Sequence, residues 1–218
     1  MKVLVIDLGG TNVKLLATGQ VLPRKFPTGP LFTPDQLVEI VARNTGDWEY
    51  EAVSIGFPGP ITDGKIAKEP HNLGPGWMDY DLAGQLQKPV KLLNDAAMQA
   101  LGSYRGGHML FLGLGTGLGS ALVIDGVVAP LELAHLPYKK KMTFEDFVGM
   151  RGLLRLGKRK WREAVEDVVH RLQAAMVADT VVIGGGNSKK LKQLPPGALL
   201  GDNNNAFQGG FRMWEARR

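Results

Sequence analysis

The chain reads as an α/β protein of two lobes built on one repeated plan, and three observations point there. Apolar runs end in glycine three times: Lys2–Asp7 before Gly9-Gly10, Met109–Leu114 before Gly115-Thr116-Gly117, and Thr180–Ile183 before Gly184-Gly185-Gly186. The first two runs are each followed by a second strand pattern, so a strand–glycine loop–strand unit recurs about a hundred residues later. Segments with helical spacing lie between these strand patterns.

Taken in order, Lys2–Asp7 has the continuous apolar character of a buried strand, and Asn12–Ala17 returns from the Gly9-Gly10 turn as its hairpin partner. A proline-rich connection leads to Thr33-Pro34-Asp35, which starts a helix; Leu37, Ile40 and Val41 follow at helical spacing, and Gly46 ends it. Ala52–Phe57 is a strand closed by Pro58-Gly59-Pro60. A loop-rich stretch runs from Ile61 to Trp77, then a short helix near Leu82–Leu86 and the strand Val90–Leu93. Asn94-Asp95 opens the helix Ala96–Tyr104, with Asp95 suited to its N-cap.

The second half repeats the theme with strands at Met109–Leu114 and Ser120–Ile124. The basic region Thr143–Leu172 is mostly helical, with Val165, Val168, Val169 and Leu172 at helical spacing. The strand Thr180–Ile183 and a final helix Phe207–Arg217 complete the order. We expect lobes at residues 1–105, joined by a terminal helix at 207–218, and at 106–206, with a hinge near Tyr104–Gly107 and a cleft between them.

Composition narrows the function. A chain of 218 residues, 44% hydrophobic, can bury a substantial core, and its 29 glycines follow apolar runs where ligand-approaching loops need them. The lack of cysteine excludes disulfides, thiolate zinc sites and cysteine nucleophiles. Met1–Ile6 is interrupted by Asp7 and is too short for a signal peptide or a membrane span, which reads as a soluble cytoplasmic protein without a membrane partner. The net charge of +5 gathers in Lys139–Lys141 and in Arg151, Arg155, Lys158, Arg159, Lys160 and Arg162. The aromatic residues are sparse and not interleaved with it as stacking platforms would be, and no helix-turn-helix or zinc-finger pattern is present, so nucleic acid is not expected as a partner. A polyanion of another kind stays open.

The first glycine segment, Ile6-Asp7-Leu8-Gly9-Gly10-Thr11-Asn12-Val13-Lys14, suits phosphate. Gly9 and Gly10 let backbone N–H groups approach phosphate oxygens, and the Thr11 hydroxyl adds a donor. Asp7 is placed to hold Mg²⁺ through water, since that small ion keeps most of its hydration shell. Asn12 and Lys14 complete the candidate set. The same residues suit an ordinary Gly-Gly hairpin.

The second segment, with Gly115, Thr116 and Gly117, contains the spacing of a dinucleotide fingerprint, but a strand follows it where that motif needs a helix. This argues against NAD and for a second phosphate cradle. The third, Gly184-Gly185-Gly186-Asn187, gains its meaning from its position; alone it would serve equally as a helix-capping loop.

The three segments in this order, with Asn94-Asp95 between the first two, resemble the phosphate-1, connecting, phosphate-2 and adenosine motifs of the actin, hexokinase and Hsp70 superfamily. Within it the chain resembles the ROK sugar kinases, most nearly their short polyphosphate glucokinase-like branch, from Met1 to about Gly210. That resemblance implies the two-lobed actin-like ATPase fold, ribonuclease H-like in each half. It also implies phosphoryl transfer, with Mg²⁺, from ATP or inorganic polyphosphate to the 6-hydroxyl of a hexose such as glucose, and commonly a homodimer.

Carried over residue by residue, the resemblance makes Asp95 the base on the attacking hydroxyl, with Asn94 and Asp95 binding sugar hydroxyls. Glu132 and His135 match a Glu-x-Gly-His sugar element in which Ala134 replaces the glycine. Glu145 matches a second sugar-binding glutamate, and Asn72 an Asn-Leu loop near the sugar, with Trp77 read as a packing residue. In many members the matching histidine also ligates zinc with three cysteines; this chain has none, so no zinc is expected.

The donor stays open between ATP and polyphosphate. About twenty residues separate Gly186 from the final helix, where larger ATP-using relatives place more structure around adenine. Lys189, Lys190 and Lys192, with the basic helix, suit a polyphosphate chain and equally a solvated surface. The alternative class is a non-catalytic sugar sensor, since some ROK proteins are repressors; those carry an N-terminal DNA-binding extension, whereas this sequence opens on the first phosphate strand. An ATP hydrolase or acid kinase of the same fold would not need Glu132 and His135.

Overall fold

In the computed structural model of the chain, residues 1–202 and 204–215 are described. The chain divides into two compact units, Met1–Met98 with Ala206–Arg218, and Gln99–Asn205.

Unit 1 is organised around β1 (Val3–Leu8), all six residues of which are buried, as an uninterrupted apolar run requires of a central strand. β2 (Asn12–Ala17) returns antiparallel, setting Asp7 opposite Lys14. β3 (Arg24–Pro27) adds to β2 at the sheet edge; this short charged segment has no apolar pattern of its own, and only its pairing with β2 makes it a strand. α1 (Pro34–Asn44) starts with a reciprocal cap in which Thr33 Oγ1 accepts from Gln36 N and Gln36 Oε1 accepts from Thr33 N. It ends two residues before Gly46, where the buried Thr45 hydroxyl donates to the Val41 carbonyl at 2.8 Å.

β4 (Ala52–Phe57) lies parallel to β1. Within the expected loop, β5 (Ile61–Thr62) and β6 (Lys65–Ile66) form a small hairpin. α2 (Leu82–Leu86), capped by the Asp81 carboxylate, leads to β7 (Val90–Asn94), parallel to β4. The sheet order is therefore β3-β2-β1-β4-β7, and α3 (Asp95–Ser103) follows directly from its last strand.

Unit 2 repeats the plan. β8 (His108–Leu114), β9 (Leu118–Ile124) and β10 (Val127–Leu131) form an antiparallel meander, followed by a 3-10 helix over Leu133–His135. α4 (Phe144–Val148) and α5 (Met150–Ala175) precede β11 (Thr180–Gly184), parallel to β8. After a 3-10 helix at Ser188–Lys190, β12 (Ala198–Leu200) pairs parallel with β11, giving the order β10-β9-β8-β11-β12.

The basic region is helical, as its spacing predicts, but it is broken at Gly157, whose φ of +72° lies in the left-handed region that glycine enters without strain. The apolar face of α5, with Trp161, Val165, Val168 and Leu172, packs against Leu110, Leu112, Val181 and Ile183 of the sheet. The buried Trp161 indole donates to the Val148 carbonyl at 2.8 Å, tying α5 to α4.

α6 (Asn205–Arg212) returns to unit 1, where Ala206 and Phe207 pack with Val3, Val5, Leu16 and Met98. It begins two residues before the predicted start and stops at Arg212, after which a turn carries the Trp214 indole to Ser54 Oγ at 2.8 Å. The predicted extension over 216–218 lies outside the described residues. Among the described residues no helix is long and apolar enough to cross a membrane.

Candidate active site

In unit 1 the carboxyl ends of three parallel strands collect the candidate residues, the place where open α/β sheets bind ligands. Register aligns Asp7 of β1, Gly56 of β4 and Leu93 of β7 in one row, with Phe57 and Asn94 paired in the next. Asp7 is 8% exposed, and its Oδ2 accepts from Lys14 Nζ at 2.7 Å. Their cross-strand pairing places this ion pair at the base of the glycine loop.

The loop itself is held by backbone and by one residue that the sequence did not single out. Gly9 N donates to the Asn12 carbonyl at 3.0 Å. Thr28 Oγ1 donates to the Gly9 carbonyl at 2.6 Å, and Thr28 N to the Thr11 carbonyl at 2.9 Å. Thr28 carries no periodic signal; only the pairing of β3 brings it there. Asn72 is brought to the same loop: a Cβ on Gly10 would stand 2.6 Å from the Asn72 Cβ, so only glycine fits unless Asn72 moves. Trp77 is core, 1% exposed, with the rings of Phe57 and Phe32 at 5.4 and 6.3 Å.

At the start of α3 the capping role expected of Asp95 falls to Asn94. Asn94 Oδ1 accepts from Ala96 N at 2.9 Å and Ala97 N at 3.3 Å, while its Nδ2 donates to the Gly59 carbonyl at 3.2 Å. The reason is that the helix begins at Asp95 itself, one residue earlier than predicted. Asp95 Oδ1 accepts from Ala96 N at 2.7 Å, so its carboxylate sits in the first turn of α3. Gly56 lets α3 approach the sheet, since a Cβ there would meet Met98 Cε at 2.3 Å.

In unit 2 the second glycine loop is closed by a bond from Gly115 N to the Gly117 carbonyl at 3.1 Å and anchored by Met150 N to the Thr116 carbonyl at 3.0 Å. Glu145 is brought to this loop. Its Oε2 accepts from Leu118 N at 3.3 Å, its Oε1 pairs with Arg151 at 3.3 Å, and a Cβ on Gly117 would meet it at 2.1 Å. The third segment folds against the second: Gly185, at φ +81°, leaves no room for a Cβ, which would lie 2.4 Å from the Leu114 carbonyl oxygen.

Glu132 and His135 are exposed and 3.7 Å apart around the 3-10 helix that follows β10. The turn is tied to β9 by Ser120, whose Oγ donates to the Leu131 carbonyl and accepts from Leu133 N. Ala134 is buried there without a positive φ, so this backbone does not need the glycine that the sequence pattern led one to expect. From α4, Phe144 N donates to the Leu136 carbonyl at 3.1 Å, which is how Glu145 and His135 come onto adjoining segments.

Beside these segments a polar cluster joins the Lys139–Lys141 loop to α5. Asp167 accepts from the Tyr138 hydroxyl and from Lys139 Nζ at 2.9 Å, which hold its carboxyl at about 2, below the usual carboxylate range. Burial, and then this bond, push the Tyr138 hydroxyl up.

The chain is similar to known proteins. Residues 3–130 match the ROK family. The polyphosphate glucokinase of Mycobacterium leprae (strain TN) is 26% identical over 215 residues, covering 88% of this chain and 65% of that protein. The polyphosphate glucokinase of Mycobacterium tuberculosis (strain ATCC 25618 / H37Rv) is 27% identical, covering 88% of this chain and 80% of that protein. Among solved structures, the inorganic polyphosphate/ATP-glucomannokinase of Arthrobacter sp. strain KM superposes with a TM-score of 0.79 at 25% identity, covering 95% of this chain and 96% of that one. The two mixed sheets are those of the actin-like ATPase fold. With the match spanning more than half its length, the chain belongs to the ROK family.

Proposed function

We infer that the chain is a sugar kinase, moving a phosphoryl group from ATP or inorganic polyphosphate to a hexose, with the 6-hydroxyl of glucose as the leading acceptor. The observation that carries this reading is the row in unit 1 where a carboxylate, Asp95, stands at the start of a helix whose capping is done by its neighbour Asn94.

Asp95 takes the proton of the attacking hydroxyl as general base, a role worth about 10² to 10⁴ in rate. Asn72, Asn94, Glu132, His135 and Glu145 bind and orient the sugar hydroxyls. Gly10, Thr11, Asn12 and Lys14, together with Thr116 and Gly117, present N–H, hydroxyl and ammonium donors to the donor phosphates, while Gly9 and Gly115, whose N–H groups are bonded inside their own loops, shape the two cradles. Gly184, Gly185 and Gly186 border the rest of the donor.

Among the described residues no three His, Cys, Asp or Glu side chains form a cage for a metal. A single carboxylate beside a phosphate loop does fit Mg²⁺, which usually takes one or two protein carboxylates plus phosphates and water. Asp7 would hold that ion, whose charge offsets the charge on the transferred group. Lys14, 2.7 Å away, orients the Asp7 carboxylate and supplies a second positive charge at the loop.

The reading places the reaction in the cytoplasm, with a hexose as partner and two copies of the chain as the expected assembly. Its test is phosphate transfer by purified protein with Mg²⁺, ATP and inorganic polyphosphate compared in parallel over a panel of hexoses. Formation of glucose 6-phosphate is the expected result. Silence with both donors on every hexose would turn the reading to a sugar sensor.

A further inference from the structure

Asn187 is 3% exposed, and both its backbone and its side-chain amide are hydrogen-bonded to neighbours. Its N–H donates to the Leu114 carbonyl at 2.9 Å, its Nδ2 donates to the Gly115 carbonyl at 2.7 Å, and its carbonyl accepts from Lys190 N at 2.9 Å. Its Oδ1 accepts from Lys190 Nζ at 2.6 Å. One buried side chain therefore staples the third glycine segment to the second and both of them to a single lysine.

Lys190 is fixed at its other end as well. Its carbonyl accepts two bonds from the Arg162 guanidinium, at 2.8 and 2.6 Å. Its side chain is partly shielded, and among the described residues no carboxylate lies within ion-pair distance of it. Lys14 and Lys139, by contrast, are paired with Asp7 and Asp167. The amide oxygen satisfies one of the three ammonium donors and none of its charge. An immobilised, partly desolvated ammonium without a counter-charge is complementary to an anion, and charge-assisted bonds to such a group are among the strong ones. Lys189 and Lys192 are exposed and have no comparable anchor.

We propose that Lys190 is a ligand for a phosphate group of the donor and that Asn187 is the positioning residue that aims it beside the Gly115–Gly117 loop. This rests on the kinase reading for the identity of the anion. Lys190 stands apart from the other lysines of the basic surface because it is held in place before the donor arrives, so less freedom is lost on binding.

Titration calorimetry on the whole chain, at fixed salt and Mg²⁺ and without sugar, tests it with tripolyphosphate and, separately, ATP as probes. Lys190→Gln is expected to weaken tripolyphosphate binding by about ten- to a hundredfold, the worth of one charge-assisted bond. Lys190→Arg should recover most of it. Lys65→Gln removes the same charge from an exposed position on β6 of the other unit and should stay within about twofold.

A parallel loss for ATP puts the ammonium on a phosphate common to both donors; a loss confined to tripolyphosphate puts it further along the inorganic chain. Either supports the assignment. Undiminished binding of both probes by Lys190→Gln, an equal loss in Lys65→Gln, or a wild-type chain that binds neither probe overturns it. For the positioning role, the losses in Asn187→Ala and Lys190→Gln should not add in the double variant, and additive losses overturn that part. A chain whose tripolyphosphate binding depends on Lys190 but which phosphorylates no sugar would sink the kinase reading alone.

Discussion

The two units share a sheet order and differ in what stands at equivalent places. The first apolar run, Ile6-Asp7-Leu8-Gly9-Gly10, and the second, Leu112-Gly113-Leu114-Gly115-Thr116, occupy the same position in their sheets, and each pairs with a parallel strand bearing a glycine in register. Asp7 faces Gly56 in unit 1; Gly113 faces Gly184 in unit 2. The crossovers diverge too. Unit 1 passes from β4 to β7 through α2 and emerges at Asn94-Asp95, whereas unit 2 reaches the three-residue β12 with a single 3-10 helix and places its polar side chains, Asn187 and Lys190, in the connection itself. One scaffold thus supports carboxylates at the strand ends of unit 1 and backbone N–H groups with an ammonium in unit 2. The repeated plan sets where a ligand loop falls, and the residues on it set which charge it presents.

If unit 1 supplies the proton transfer, Asp95→Asn should lower kcat by about 10² to 10⁴ while the urea unfolding midpoint barely moves, because Asn94 keeps the helix cap. Near-normal turnover in a folded variant would break the comparison at its main point.

A sharper structural contrast lies within unit 2. Gly185→Ala forces a side chain into left-handed backbone and against the Leu114 carbonyl, and should cost about 3 kcal/mol in urea unfolding. Gly115→Ala, whose Cβ would meet nothing within 4 Å, should stay within about 0.5 kcal/mol and show its effect in donor KM. Equal stabilities would mean that the third segment is not packed on the second.

In unit 1, Ser54 is fully buried, donates to the Gly210 carbonyl at 2.7 Å and accepts from the Trp214 indole. Ser54→Ala should cost about 1 to 2 kcal/mol and speed hydrogen exchange in α6 ahead of the sheet. Uniform exchange would show that α6 is not a separately released element.

The smallest effect belongs to Asp167. Its lowered folded pKa, about 2, means that its contribution is present above the unfolded carboxylate range and is lost as pH falls from about 4 toward 2. Because the side chain is a third exposed, we expect that contribution to be no more than about 1 kcal/mol, and Asp167→Asn to flatten the acid limb of a pH–stability profile by that amount. An unchanged acid limb would remove the Tyr138–Lys139–Asp167 cluster from the account.

The residues that read correctly from sequence are those whose signal is local. An apolar run ending in glycine announces a central strand and its loop, so β1, β2, β4, β8 and β11 were legible to within about two residues, as were the Thr33-Pro34 start of α1 and the short helix Leu82–Leu86. Both glycine loops and the Asn94-Asp95 step stood out for the same reason. The strands β3, β10 and β12 were not legible because they carry no strong strand signal of their own and are defined by the neighbour they pair with; Arg24–Pro27 has no apolar period, and Ala198–Leu200 is three residues long.

What the sequence by itself determined was the order of loops and the chemistry each can offer. Which side chain serves which loop was decided only by the tertiary structure. Asn94 displaced Asp95 as the cap once the helix start was set. Thr28 was brought to the Gly9 carbonyl, Glu145 to Gly117 and Asn187 to Gly115 across separations of 19, 28 and 72 residues. Partners so far apart in the chain leave no period or spacing to read, and packing of the sheets is what makes them neighbours.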